Sequence, residues 1–217
     1  ESSDSGTTPP DTNGDVSPEH YIQSINNGNG AVFKIWDKEG NIVLVTTFAN
    51  AFWEEFGITG LGDPVVLWDH SAERWLITEL GTFGSNVMLV AVSVTSDPMG
   101  EWNAYEFQAP GLPDYPKYAI WNNAYFITTN EFTDTFIPVY ALDREAMLNG
   151  EATADALRMG GMTKFSDDGG AFQVATPAHW EGPTPPPAGS PGYAVRIYDD
   201  AWEGGEDRLE VWEMDVD

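Results

Sequence analysis

Two stretches of the chain repeat one pattern of residues. Gly62-Asp63-Pro64-Val65-Val66-Leu67-Trp68-Asp69 leads to Arg74-Trp75-Leu76-Ile77-Thr78. Asp114-Tyr115-Pro116-Lys117-Tyr118-Ala119-Ile120-Trp121-Asn122 leads to Tyr125-Phe126-Ile127-Thr128-Thr129. Each has an aspartate, a nearby proline, an apolar strand ending in Trp-Asp or Trp-Asn, a polar turn and a second strand. The aspartates lie 51 positions apart. A repeat of about 40–50 residues made of short strands predicts the blades of an all-β fold, a β-propeller of four-stranded antiparallel blades.

Composition narrows the partners. Thirty-five acidic residues stand against nine basic ones, a net charge of −26. No basic stripe exists to neutralise phosphates, so no nucleic acid is expected. No apolar run approaches the ~18 residues needed to cross a bilayer, so no membrane insertion is expected either. The charge suits a salty or calcium-rich exterior, where screening limits self-repulsion. Its two readings are solubility in saline surroundings and dedicated cation binding. The absence of cysteine excludes disulfides, thiolate zinc sites and cysteine nucleophiles. With no Asn-x-Ser/Thr acceptor, it points to a bacterial source. A chain opening Glu1-Ser2-Ser3-Asp4 is read as a mature form after removal of a signal peptide. The expected location is extracellular or at the cell surface.

Turn residues divide the chain. Residues 1–19 lack a hydrophobic period and read as a disordered acidic linker. Within them Asp11-Thr12-Asn13-Gly14-Asp15 spaces oxygen ligands as calcium loops do, without the following Gly or the distal bidentate acid. Residues 20–61 read as a partial first blade, and 62–110, 111–165 and 166–217 as three more. The continuous apolar run Val87-Met88-Leu89-Val90-Ala91-Val92 is that of a strand buried on both faces. Three complete blades and part of another leave two readings, a compact four-bladed ring or part of a larger ring of six to eight blades. The end at Asp217, directly after a strand, favours the larger ring, completed by remaining blades or by a complementary propeller chain.

Gly62-Asp63-Pro64 … Trp68-Asp69 … Glu73-Arg74-Trp75, with Val90-Ala91-Val92-Ser93 … Ser96-Asp97-Pro98 … Trp102, resembles a group of secreted or surface-attached bacterial β-propeller proteins. Asp114-Tyr115-Pro116 … Asn130 is similar to their next blade. Pro177-Ala178 … Gly192-Tyr193, then Leu209-Glu210-Val211-Trp212 … Val216-Asp217, is similar to the one after. His179-Trp180-Glu181 departs from the group, which more often has an acidic loop there. The resemblance implies an extracellular place and a propeller that continues past Val216-Asp217. It implies no shared catalytic mechanism.

Asp63, Asp114 and Asp167 or Asp168 recur at near-equal spacing, so their carboxylates are candidates to converge on one axial calcium ion, which takes six to eight oxygens. The alternative is that each aspartate caps a turn, bonding the backbone before proline. A second acidic cluster, Asp199-Asp200 … Glu203-Gly204-Gly205-Glu206-Asp207, reads as a solvated turn or a calcium loop. Of nine tryptophans, Trp53, Trp180 and Trp202 fall in loops and are candidates to stack on sugar rings; otherwise they fold back over a blade edge. No Gly-x-Ser-x-Gly elbow, His-Glu-x-x-His or phosphate-cradling loop occurs. The expected function is therefore a non-catalytic binding, adhesion or assembly module, calcium-stabilised, facing an extracellular glycan or surface protein. The alternative is a carbohydrate-active propeller enzyme, a polysaccharide hydrolase or lyase.

Overall fold

The structure is a computed structural model, and its description covers residues 5–165 and 175–216, without the side chains of residues 46, 48, 202 and 203. The fold is all-β, a partial β-propeller whose sheets are built from consecutive antiparallel strands. The first sheet holds β1 (Asn13–Val16), β2 (His20–Asn27), β3 (Gly30–Asp37) and β4 (Ile42–Phe48). Next come β5 (Gly60–Asp69), β6 (Arg74–Gly81), β7 (Val87–Ser93) and β8 (Trp102–Gln108). The third has β9 (Asp114–Ile120), β10 (Ala124–Asn130), β11 (Phe136–Asp143) and β12 (Ala156–Thr163). The fourth, three-stranded among the described residues, has β13 (Thr176–Pro177), β14 (Gly192–Tyr198) and β15 (Arg208–Met214). Short helices α1 (Arg144–Asn149) and α2 (Asp200–Glu203) and two 3-10 turns at Ala49–Phe52 and Glu54–Phe56 complete the elements. No helix among the described residues is long and apolar enough to cross a membrane.

The chain divides into two compact units, residues 1–109 with 147–153, and residues 110–146 with 154–217. In the first, Ile22, Ala31, Phe33 and Ile35 of the first sheet pack on Val66, Trp68, Trp75 and Ile77 of the second. Trp68 and Trp75 face each other across β5 and β6 with ring centroids 5.0 Å apart. Truncating a buried aromatic such as Trp75 costs about 3–5 kcal/mol. In the second unit, Phe126, Ile137, Val139 and Ala141 pack with Ala194 and Met214, and Trp180 and Trp212 close the margin.

The linker expected over residues 1–19 gives way at Asn13, where β1 begins. The strand has no hydrophobic period because its side chains serve hydrogen bonds instead. β5 is the edge of its sheet, and an edge strand needs partners for its outward N–H groups. Asn13 Oδ1 accepts from Val66 N and Asp15 Oδ2 from Trp68 N, both at 2.7 Å. β9, the matching edge in the second unit, uses another device. His179 Nδ1 accepts from Ile120 N at 3.1 Å, and Trp180 N donates to Ile120 O at 3.0 Å. Accepting at Nδ1 leaves the ring proton of neutral His179 on Nε2.

The registers also correct the aspartate repeat. Val65 pairs with Thr78 and Gly62 with Leu80; Lys117 pairs with Thr128 and Asp114 with Asn130. Each ladder has an irregularity at this point. The equivalent residues are therefore Pro64 and Pro116, 52 positions apart. Asp63 matches Tyr115, and Asp114 matches Gly62. The backbone agrees, since Asp63 and Tyr115 share a left-handed conformation at φ 52° and 51°. Asp63 and Asp114 stand one residue out of step, and along a strand one residue reverses the face.

Candidate functional site: a carboxylate pair on Asn26

The first unit brings together residues far apart in sequence. Asn26 is the penultimate residue of β2, just before the tight turn into β3. Its side-chain Nδ2 donates to Asp11 Oδ2 at 2.7 Å and to Asp63 Oδ1 at 3.2 Å. Its Oδ1 accepts from Asp63 N at 2.7 Å, and its backbone N donates to Pro10 O at 2.7 Å. Asp63 is thus held at two points and Asp11 through its neighbour as well as its carboxylate. Both aspartates have positive φ, 39° at Asp11 and 52° at Asp63. Non-glycine residues in that region carry strain of about 1–3 kcal/mol and gather at functional sites. With two carboxylate oxygens on one nitrogen, their separation cannot exceed the sum of its two hydrogen bonds.

Behind the pair lies Glu79 of β6, 1% exposed. Its Oε1 accepts from Ala31 N at 2.6 Å and its Oε2 from Trp53 Nε1 at 2.8 Å, and Gly62 supplies a further backbone hydrogen bond. Burial pushes its pKa up to about 7, against the pull of the Trp53, Ala31 and Gly62 donors. A Cβ added at Gly60 would meet the Glu79 carboxyl carbon at 2.0 Å, so only glycine leaves room for it there.

The second unit has its own buried acid. Glu131, fully buried, accepts from Thr129 Oγ1 at 3.2 Å, from Arg158 at 2.7 Å and from the Tyr140 hydroxyl. Arg158 also bonds Asp134 and, through Nε at 2.9 Å, the Tyr140 oxygen. Burial and then Glu131 hold the Tyr140 hydroxyl well above its usual range. Burial lowers the Arg158 pKa, but the bonds to Tyr140, Glu131 and Asp134 outweigh it and the guanidinium is held above its usual range. Every charge here is spent on another, which makes the cluster a structural knot.

Of the residues proposed for calcium, Asp63 belongs to the pair above. Asp114 Oδ1 accepts from Tyr115 N at 2.9 Å, the backbone of the residue before proline. Asp167 and Asp168 lie outside the described residues. Among the described residues, the acidic or histidine groups near enough to share an ion are Asp199, Asp200 and Asp207, with oxygens within 4.8 Å of one another. Of the loop tryptophans, Trp53 is fully buried and its indole serves Glu79, so no face is offered to a sugar. Trp180 is half-buried, packs on the second unit's core and donates to Thr184 O at 2.9 Å. Trp202 lies in α2, and its side chain falls outside the description. A cavity of about 500 Å³ lies at the opposite ends of β2 and β5, lined by His20, Glu19, Glu73 and Asp97. Its acids sit on separate turns with no group bridging them.

Sequence reasoning misses Asn26 and Glu79 and offers Asp11 only within a linker, as part of a calcium-loop-like spacing. Asn26 reads from sequence as a turn residue only. Glu79 sits in an apolar strand, where an isolated acid flanked by Thr78 and Leu80 was the available signal.

No family model and no curated protein matches the chain. In three dimensions it is similar to a GH43 β-1,3-galactosidase, at 12% identity and a TM-score of 0.48, over 92% of this chain and 42% of that one. It is also similar to a GH43 α-L-arabinofuranosidase from Clostridium thermocellum ATCC 27405, at 13% identity and a TM-score of 0.46, over 99% of this chain and 70% of that one. The chain thus spans less than half the length of the galactosidase. The likeness is one of fold, and no residue role is carried across. The expectation of a non-catalytic binding, adhesion or assembly module is corrected here. Both similar structures are by name glycosidases; any role for this chain is argued below from its own residues.

Proposed function

We propose that the chain carries the carboxylate pair of a polysaccharide hydrolase, with Asp63 and Asp11 as its acids. The observation that supports this is the single Asn26 amide bridging both carboxylates. Glycoside hydrolysis uses two acids about 5–9.5 Å apart, one protonating the leaving oxygen and the other attacking the anomeric carbon or activating water. Asp63, fixed at two points by Asn26 and with its oxygen no farther from that of Asp11 than the two hydrogen bonds allow, suits the attacking role. Asp11, exposed at the entry to β1, suits the acid that reaches a leaving oxygen. As the glycosidic C–O bond breaks, an Asp63 carboxylate oxygen bonds the anomeric carbon and the Asp11 proton goes to the leaving oxygen; water then displaces Asp63 from that carbon, giving the hydroxyl of the new reducing end, and its proton returns to Asp11. An extracellular setting belongs to the same proposal and is supported by the net charge of −26.

The test is hydrolysis by the full chain of aryl galactosides, aryl arabinofuranosides and the matching polysaccharides. Asp63→Asn and Asp11→Asn are each expected to lower kcat about 10²–10⁴-fold, while Asp114→Asn leaves it unchanged. Turnover that survives Asp63→Asn, or no turnover of any glycan, sinks the reading.

A further inference from the structure

Glu79 takes no part in the proposed chemistry, yet each donor it accepts from builds the bridge or abuts it. Ala31 is the strand partner of Asn26 across the β2–β3 hairpin. Gly62 immediately precedes Asp63. Trp53 lies on the connection from the first sheet to β5. One carboxylate therefore anchors both halves of the Asn26–Asp63 contact, and through the Asn26 N–H to Pro10 O bond it reaches Asp11 as well.

Glycines give this arrangement its room. A Cβ at Gly30 would come within 2.7 Å of Glu79 Oε1, and one at Gly62 within 2.4 Å of Asn26 Oδ1. Gly30 and Gly62 also have positive φ, 104° and 127°, which other residues rarely adopt. The backbone is thus cut to fit the Glu79 carboxylate on one side and the Asn26 amide on the other. No cation is bonded to Glu79 among the described residues, so N–H donors alone hold it.

We propose that Glu79 is the positioning residue of this site: its buried carboxylate clamps the partner of Asn26 and the residue before Asp63, and so sets how the Asn26 amide bridges Asp63 and Asp11. The inference rests on reading that pair as the working acids. The clamp needs both carboxylate oxygens as acceptors. A glutamine keeps the length but offers one acceptor and turns an NH₂ group towards a donor, so it should break the clamp without leaving a cavity.

Amide hydrogen exchange and kinetics of Glu79→Gln at pH 8, where Glu79 of the unaltered protein is ionised and both its oxygens accept, provide the test. The Asp63 amide, bonded to Asn26 Oδ1, should exchange about tenfold faster or more while amides at the centre of β7 keep their protection. On a hydrolysed glycoside, kcat should fall about 10–100-fold with KM within about twofold, as expected for misplaced acids rather than lost binding. Adding Trp53→Phe removes the donor facing the new NH₂ and should recover part of both losses. If Glu79→Gln does not fold, Trp53→Phe alone decides, since it withdraws one donor and should speed Asp63 exchange about threefold. A folded variant whose Asp63 amide exchanges as in the unaltered protein overturns the proposal. If no glycoside is hydrolysed, the hydrolase reading fails and the exchange arm still decides the clamp. If Asp63→Asn abolishes turnover but Glu79→Gln changes neither kcat nor exchange, the clamp fails and the reading stands.

Discussion

The two units bury one glutamate each and stabilise them by opposite means. Glu79 is held by two backbone N–H groups and an indole N–H, with no cation bonded to it among the described residues. Glu131 is held by the Arg158 guanidinium and the hydroxyls of Tyr140 and Thr129. The registers make the contrast sharper, because Glu79 and Thr129 are equivalent positions on β6 and β10. Where the first unit places a carboxylate, the second places a hydroxyl and moves its acid two residues on. Glu79 thus sits among neutral donors, whereas Glu131 is ion-paired to a guanidinium. The first arrangement borders a candidate site; the second closes a turn.

The largest expected effect would break the ion-paired side. Arg158→Met leaves Glu131 buried without its cation and should cost about 3–5 kcal/mol, a fall in Tm of about 10 °C for a chain of this size. A double variant with Glu131→Leu should cost less than either single change, and a cost equal to the sum of the two would show that the pair is not coupled.

Next comes the pH dependence of the neutral side. Glu79 has a folded pKa raised from 4.5 to about 7. The folded state therefore holds this proton over a range in which the unfolded chain has lost it. Its contribution is fully present below about pH 4.5 and is lost as pH rises through about 7, roughly 3 kcal/mol in all. Urea midpoints of the unaltered protein and Glu79→Gln, compared at pH 5 and pH 8, should show the unaltered protein losing ground at the higher pH. A gap between them that does not change with pH would remove the distinction between the two glutamates.

A smaller effect tests the edges of the two sheets. Asn13→Ala or Asp15→Ala leaves a β5 N–H without its acceptor and should cost about 1–2 kcal/mol each by thermal melting. His179→Ala should cost β9 a similar amount; no loss would mean that water replaces the side chain. The smallest effect belongs to the acidic turn. Asp207→Asn, on an exposed loop, should move stability by no more than about 0.5 kcal/mol in calcium-free buffer, and a larger shift would mark the turn as structural.

Much of the architecture was legible in the chain. The run Val87–Val92 announced a strand buried on both faces, and β7 is buried throughout. Turn residues such as Gly28-Asn29 and Lys38-Glu39-Gly40 placed the hairpins. The candidate site was legible at Asp63 only. The Asn26 bridge gave no signal because its link to Asp11 spans 15 residues and its link to Asp63 spans 37. For Trp53 the loop position was readable, but the choice between facing a sugar and folding inwards was made by packing on Val87, Leu89 and Ala91 and by the bond to Glu79, 26 residues away.

The sequence by itself determined that this chain forms short antiparallel strands in repeated blades, because strand period, turn residues and proline position are local properties. Tertiary structure decided which repeat positions are equivalent. One irregular pairing beside Pro64 and Pro116 shifts Asp63 against Asp114 by a residue, so the two aspartates do not hold equivalent positions of the repeat as spacing alone suggests. It also decided that Asp11 and Asp63 share one amide, since contacts between strands of different blades depend on register and burial that no local pattern encodes.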